Sequence, residues 1–318
     1  MTTTRQDIDE RRGYAVLDDF ERFSAVDDVF ARSWWDDEIK SPGAERFYAT
    51  YRRPLTRWRK ANGFTQRDYA LRNASWHVSD IFTEMYEPGR RDGFLDPLSM
   101  LRDGPDEQLV PESPEVAAAE MKRVARVFGA DLVGITAFDE RWVYTERFSA
   151  ETGNPKPNEL PDGLTNVIVI GQAMDADLIQ TAPSALSGTA TGLGYSRDAA
   201  VLLGVAQYIK NLGYEAVPSM NDSALAIPLA IEAGLGEYAR NGLVITPEHG
   251  ARVRFGKIFT NMPMDCDSPN RFGVREFCEQ CDRCATACPA RAIPHSGPVS
   301  VALNRSGISG IRKWSVDG

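Results

Sequence analysis

Residues 166–170 read Asn166-Val167-Ile168-Val169-Ile170. Four β-branched apolar residues in a row leave no polar face, so the run predicts a short strand covered on both sides. Upstream, Asp131 to Thr136 has the same character, and a helix precedes it. Ser113 can cap, Pro114 suits a first helical turn, and Ala117, Met121, Val124 and Phe128 recur on one face before Gly129 ends the helix. Downstream, a helix is predicted over about 196–212, with Ala199, Leu202, Ala206 and Ile209 on one face, ending at Gly213. A strand near 215–217, a helix over about 222–233 closed by Gly234, and a strand at 243–245 follow. Residues 113–263 therefore alternate helix and strand, the pattern of an α/β (α+β) domain around a central sheet.

Residues 1–112 are rich in charge and aromatics, with Trp34, Trp35, Trp58 and Trp76, and predict helices and long loops packed on that core. Residues 264–318 form a smaller C-terminal segment. Gly192 and Gly194 are followed by Tyr195-Ser196-Arg197 with no third glycine, so a dinucleotide-binding fingerprint is missing. The chain has 318 residues and a net charge of −9, which argues against nucleic acid as a partner and favours a small molecule. No apolar run is long enough to span a membrane. Arg11 and Arg12 form a twin-arginine pair, but Asp18 and Asp19 interrupt the apolar stretch after it, so no export signal is read and a cytoplasmic location is expected for the chain as given.

Cys278, Cys281, Cys284 and Cys288 fall within eleven residues, and Pro289 follows the last. This is a ferredoxin-type iron-sulfur spacing, in which the fourth cysteine serves the other cluster in two-cluster proteins. Zinc ribbons instead split their ligands into two separated pairs. The fifth cysteine, Cys266, reads as a small buried residue. Residues 181–194, Thr-Ala-Pro-Ser-Ala-Leu-Ser-Gly-Thr-Ala-Thr-Gly-Leu-Gly, read either as a place where backbone approaches a large flat ligand or as an ordinary glycine-rich connection before a helix. Tyr195, Asn221 and Arg254 each have an ordinary explanation: a core tyrosine, a helix N-cap and half of a surface ion pair. Arg254 shares a strand face with Arg252.

Taken together these residues acquire a resemblance. Gly194-Tyr195-Ser196-Arg197, Asn211-Leu212-Gly213-Tyr214, Asn221-Asp222, Ala233-Gly234-Leu235-Gly236, Leu243-Val244-Ile245-Thr246-Pro247-Glu248 and Phe272-Gly273-Val274 before Phe277-Cys278 resemble the reductive dehalogenases, corrinoid iron-sulfur enzymes that replace a carbon-halogen bond by carbon-hydrogen. Residues 129–135 and 141–144 fit as well, so the resemblance covers about residues 113–318.

The resemblance implies base-off cobalamin in a nitroreductase-like domain, fed by two 4Fe-4S clusters through a ferredoxin-like segment. It implies Tyr195 as proton donor, Arg254 as the cation beside it and Asn221 as the amide holding the pocket. A free phenol titrates near about pH 10, and a neighbouring guanidinium favours the phenolate. Ser184, Ser187, Gly188, Thr189, Thr191, Gly192, Glu248 and His249 are the expected cobalamin contacts, and Trp34, Trp35, Trp76 and Trp142 candidates to line an apolar pocket. Expected partners are a small halogenated organic molecule, an external electron donor or membrane anchor protein, and a second copy in a homodimer.

No cysteine follows Cys288, whereas the family carries a second motif. The chain is therefore expected to be cut short and weak or inactive as a dehalogenase; a natural truncation, or one cluster completed by Cys288 or Cys266, are the other readings. Respiratory members carry a twin-arginine leader, so an outer-face or periplasmic location is the alternative. Rival functions are an epoxyqueuosine-reductase-like enzyme, which would need a basic surface for tRNA, and a non-catalytic corrinoid-binding or electron-transfer protein.

Overall fold

The computed structural model describes residues 9, 11–52, 61–86, 101–149, 154–221, 223–302 and 305–314; Trp58 lies outside them. Helix α1 (Gln66–Tyr86) is followed by α2 (Pro114–Val127), β1 (Leu132–Ala137), β2 (Asn166–Ala173), α3 (Ala185–Asn211), β3 (Ala216–Ser219), α4 (Ala226–Glu232) and β4 (Val253–Thr260). The four strands form one sheet in the order β1-β2-β4-β3, every pair antiparallel. Register aligns Ile135 with Ile168 and Ile168 with Ile258. These isoleucines face Ala199, Leu202, Val205 and Ile209 of α3, with Met121 and Ala125 of α2 behind them. Val167, Val169 and Phe259 point to the other side, against Trp142, Leu229 and Ile231. Burial of both faces is why the 166–170 run carries no polar alternation.

The Ser113 hydroxyl caps α2 by accepting from the Val116 amide at 3.2 Å, with Pro114 in its first turn. Gly129, Gly213 and Gly234 all have positive φ just past α2, α3 and α4, as expected of helix-ending glycines.

Residues 181–194 depart from expectation. They are neither a ligand-cradling loop nor a plain connection, because α3 begins at Ala185, a full eleven residues before the expected start at Ser196. Ser184 caps it and Ser187 returns the bond to the Ser184 amide, closing a capping box. The glycines serve close packing. A Cβ on Gly192 would sit 2.3 Å from Ser75 Oγ and 2.4 Å from Trp76 Cδ1, and one on Gly188 would sit 2.9 Å from Arg72 Cδ. The weak helix propensity of each glycine, about 1 kcal/mol relative to alanine, is offset by bringing α1 directly onto α3.

The N-terminal region forms further helices at Val29–Trp35 and Pro42–Arg52. Ala15–Val16 pairs antiparallel with Ile311–Arg312, and Arg32 Nη1 donates to Ser306 Oγ at 3.1 Å. The two ends of the described chain are therefore tied to each other. Cys266 is exposed rather than buried, with Asn166 Nδ2 donating to its sulfur at 3.5 Å. Among the described residues no helix is long and apolar enough to cross a membrane.

Candidate active site

Tyr195, the eleventh residue of α3, is 7% exposed. The Arg254 guanidinium from β4 lies over its ring at 3.7 Å, and the Trp76 indole from α1 packs on it at 4.9 Å with a 32° tilt. Asn221, in the turn after β3, donates from Nδ2 to the tyrosine oxygen at 2.5 Å. It caps no helix: α4 starts later, at Ala226, and lacks a side-chain cap. Asn221 and Arg254, 26 and 59 positions from Tyr195 in sequence, thus converge on its phenol, one from the turn after β3 and the other from β4. Gly194 permits the Arg254 approach, since a Cβ there would lie 2.8 Å from Arg254 Cδ.

A column of rings and cations continues outward. Tyr51 meets Trp76 edge-on at 5.6 Å, and Arg72 lies 3.9 Å over the Tyr51 ring. Trp76 is further fixed by its Nε1 donating to the Gly188 carbonyl at 3.2 Å. The phenol therefore cannot swing without displacing neighbours on both helices.

Asp198, one turn after Tyr195, belongs to the same site although no sequence motif marks it. It is 2% exposed, and its carboxyl backs onto Gly256, where a Cβ would lie 2.5 Å from Oδ2. Burial pushes its pKa up to about 8, opposed by Arg254 and Lys257 nearby. Lys257 is fully buried and donates to the Met220 carbonyl. The sequence did hold a signal: residues 195, 198, 199 and 202 share one helical face, and Asp198 is the acid on that apolar stripe.

Asn221 also borders a cavity of about 600 Å³ whose walls include Phe30, Trp34, Tyr144, Arg147, Pro228 and Lys313. This is the size range of small-molecule pockets. Of the tryptophan candidates, Trp34 is in that wall and Trp76 on the phenol. Trp142 is buried in the core beside Tyr14 and Phe20, and Trp35 donates to the Val26 carbonyl away from the site.

None of the eight expected cobalamin contacts lines the cavity. Ser184 and Ser187 cap α3, Gly188 and Gly192 are filled by α1, and Thr189 is fully buried, its hydroxyl donating to the Ala185 carbonyl at 3.4 Å. Thr191 sits half-buried in α3, and Glu248 and His249 lie in the turn closed by Thr246 and Gly250.

The cysteines occupy two short helices, α5 (Val274–Gln280) and α6 (Arg283–Ala287). All four thiols are free and half-buried. As a donor set they suit an iron-sulfur cluster, being four soft thiols without a disulfide. Backbone N–H groups, that of Ala292 first and those of Ala290, Arg291 and Ile293 with it, hold the Cys288 thiol below its usual range. Among the described residues the side chains do not form a gathered metal cage. The segment is docked by two residues sequence reading passed over. Glu237 accepts from the amides of Phe272, Gly273 and Arg275, and the buried Arg240 donates to carbonyls of the cysteine loop.

The family profile of the reductive dehalogenase subunit matches residues 155–264. The chain is 33% identical to the tetrachloroethene reductive dehalogenase of Dehalobacter restrictus, over 76% of this chain and 55% of that one. It is 36% identical to the tetrachloroethene reductive dehalogenase of Sulfurospirillum multivorans, over 62% of this chain and 44% of that one. The chain thus spans about half the length of the curated relatives it matches. A catabolic reductive dehalogenase structure superposes with a TM-score of 0.68 over 95% of this chain and 38% of its own, at 20% identity, a likeness of fold. An epoxyqueuosine reductase from Listeria monocytogenes is 34% identical over only 23% of the chain. The chain belongs to the reductive dehalogenase family.

Proposed function

We propose that this chain carries the catalytic core of a reductive dehalogenase: two electrons and one proton enter, a carbon-halogen bond breaks, a carbon-hydrogen bond forms, and halide leaves. The observation that carries this reading is the phenol of Tyr195 covered by Arg254 and bound by Asn221, which itself borders the cavity. Tyr195 holds the proton at its oxygen. As that proton passes to carbon, charge grows on the oxygen, and the Asn221 N–H and the Arg254 cation are already in place to stabilise it. Preorganisation of this kind costs no rearrangement at the moment of transfer.

Cobalamin, when bound, would supply the cobalt redox chemistry that breaks the bond to halogen. The cavity's mostly apolar walls, with Arg147 and Lys313 among them, suit a small halogenated molecule; the residues expected to hold the corrinoid do not line it, so no cofactor contact is assigned there. Cys278, Cys281, Cys284 and Cys288 would supply thiolate ligands to the iron-sulfur chemistry that passes electrons. An external electron donor and a second copy of the chain are the partners proposed, with location either cytoplasmic or on the outer face of the membrane. The dehalogenase reading is preferred to a tRNA-directed one because the relatives match over 76% of the chain against 23%, and the net charge of −9 disfavours phosphate backbones.

The test is anaerobic reconstitution with iron, sulfide and cobalamin, then halide release from tetrachloroethene under a strong reductant. Cobalt near one per chain with halide release that Tyr195→Phe abolishes supports the reading. No cobalt uptake with iron still bound, or equal release from Tyr195→Phe, overturns it.

A further inference from the structure

The guanidinium of Arg240 is 4% exposed, and among the described residues no carboxylate pairs with it. It makes five hydrogen bonds to four carbonyls. Nε donates to Cys278 and Cys281 at 3.1 Å each, Nη2 to Cys278 at 2.6 Å, and Nη1 to Pro294 at 3.0 Å and Ser296 at 2.8 Å. The Trp314 ring lies 5.3 Å from its centre, and Trp314 is itself held by Tyr238, whose hydroxyl donates to the Trp314 carbonyl at 2.6 Å. One side chain thus pins both ends of the 278–296 loop to a single point in the small hairpin of Glu237–Tyr238 and Val244–Ile245.

An arginine stays charged at any pH a protein survives. A buried charge answered only by neutral carbonyls is expensive unless an opposite charge comes near it. Carbonyl clamping alone could be done by neutral donors. No salt bridge among the described residues reaches Arg240, so its printed partners are carbonyl oxygens alone. The backbone it grips belongs to two cysteines, and thiolates bound to iron carry the missing negative charge.

We infer that Arg240 is a positioning residue for the iron-sulfur cluster, fixing the backbone of Cys278 and Cys281 in ligating order and acting as the buried counter-charge that raises the cluster's reduction potential. This rests on the iron-sulfur part of the function proposed above. Outer partners of metal ligands are commonly worth about 10–100-fold in metal affinity, and net charge close to a cluster is one of the factors that set its potential.

The experiment compares wild type, Arg240→Met and Arg240→Lys after anaerobic loading with ferrous iron and sulfide. It reads resistance of bound iron to a chelator and the midpoint of an electron-paramagnetic-resonance redox titration. Methionine keeps much of the stem but removes fork and charge, so iron is expected to leave at least about 10-fold more readily and the midpoint to fall. Lysine keeps the charge but cannot span four carbonyls, so iron leaves more readily while the midpoint stays near wild type. Circular dichroism establishes that each variant is folded, and if the methionine variant is not, lysine alone carries the test through its split between the two readouts.

Equal iron retention and equal midpoint in a folded variant overturn the inference. A lysine variant whose midpoint falls as far as that of methionine removes the counter-charge role. Wild type that takes up no iron defeats the iron-sulfur reading itself, and with it the role of Arg240, an outcome distinct from a loaded wild type matched by its variants.

Discussion

The phenol site and the cysteine segment are held together in opposite ways. Around Tyr195 the constraint is apolar and dense: α3 is packed on the sheet on one side and on α1 on the other, with glycines where side chains would not fit. Around the cysteines it is sparse and polar. Two short, half-exposed helices hang from Glu237 and Arg240, and Phe277 is 67% exposed beside the first cysteine. A site proposed to hold one proton in one place gains from a rigid core. A segment proposed to wrap an inorganic cluster would complete its order with the metal, whose binding energy is then folding energy.

Substitutions can break or sharpen that contrast. The largest expected effect is from Tyr195→Phe, which removes the acid but keeps the ring between Trp76 and Arg254. Halide release should fall by about 10²–10⁴-fold while cobalt content stays that of wild type. If cobalt is lost too, the tyrosine belongs to the cofactor's support and not to proton transfer.

Stripping iron with a chelator should act on the other region alone. Limited proteolysis is expected to open the 274–296 segment while the sheet domain resists, because little apolar burial holds the cysteine helices. Simultaneous cleavage of both would show that the two regions fold as one unit.

Gly192→Ala tests the dense region. Its Cβ would meet Ser75 and Trp76 within 2.4 Å, and such overpacking costs about 1–3 kcal/mol, read as a lowered thermal midpoint. A stability equal to wild type would mean that α1 yields easily and that the Tyr195 support is loose.

The smallest effect is pH-dependent and concerns Asp198. Its folded pKa is raised to about 8 from an ordinary value near 3.8, so the folded chain binds the proton more tightly than the unfolded one. Stability then falls as pH rises through that window and levels off above it. Asp198→Asn should remove this slope, making thermal midpoints at about pH 6 and about pH 9 more alike than in wild type. An unchanged slope would assign it to other groups.

How much of this could be read from the chain differs between the two regions. The β-branched run at 166–170 and the Ser113-Pro114 helix start were legible, because burial on both faces and capping leave local marks. Residues 181–194 misled, since glycine and hydroxyl content predicts a loop by propensity, while packing of α1 on α3 makes it the first three turns of a helix. Asn221 looked like an N-cap and instead serves a phenol 26 positions upstream. Glu237 and Arg240 carry no local signal, since an acid and a base three residues apart in a loop read as solvated surface.

The sequence by itself determined the chemistry available: four clustered thiols, a tyrosine at the opening of an apolar helical stripe, and an alternation of helix and strand that requires a central sheet. Those follow from residue type and spacing, which are local. Only the tertiary structure decided that Asn221 and Arg254 share one phenol, that Asp198 lies buried behind it, that the glycines admit a helix, and that Arg240 grips the cysteine loop. Each of these depends on where distant segments meet, and that is set by which apolar faces must be buried together.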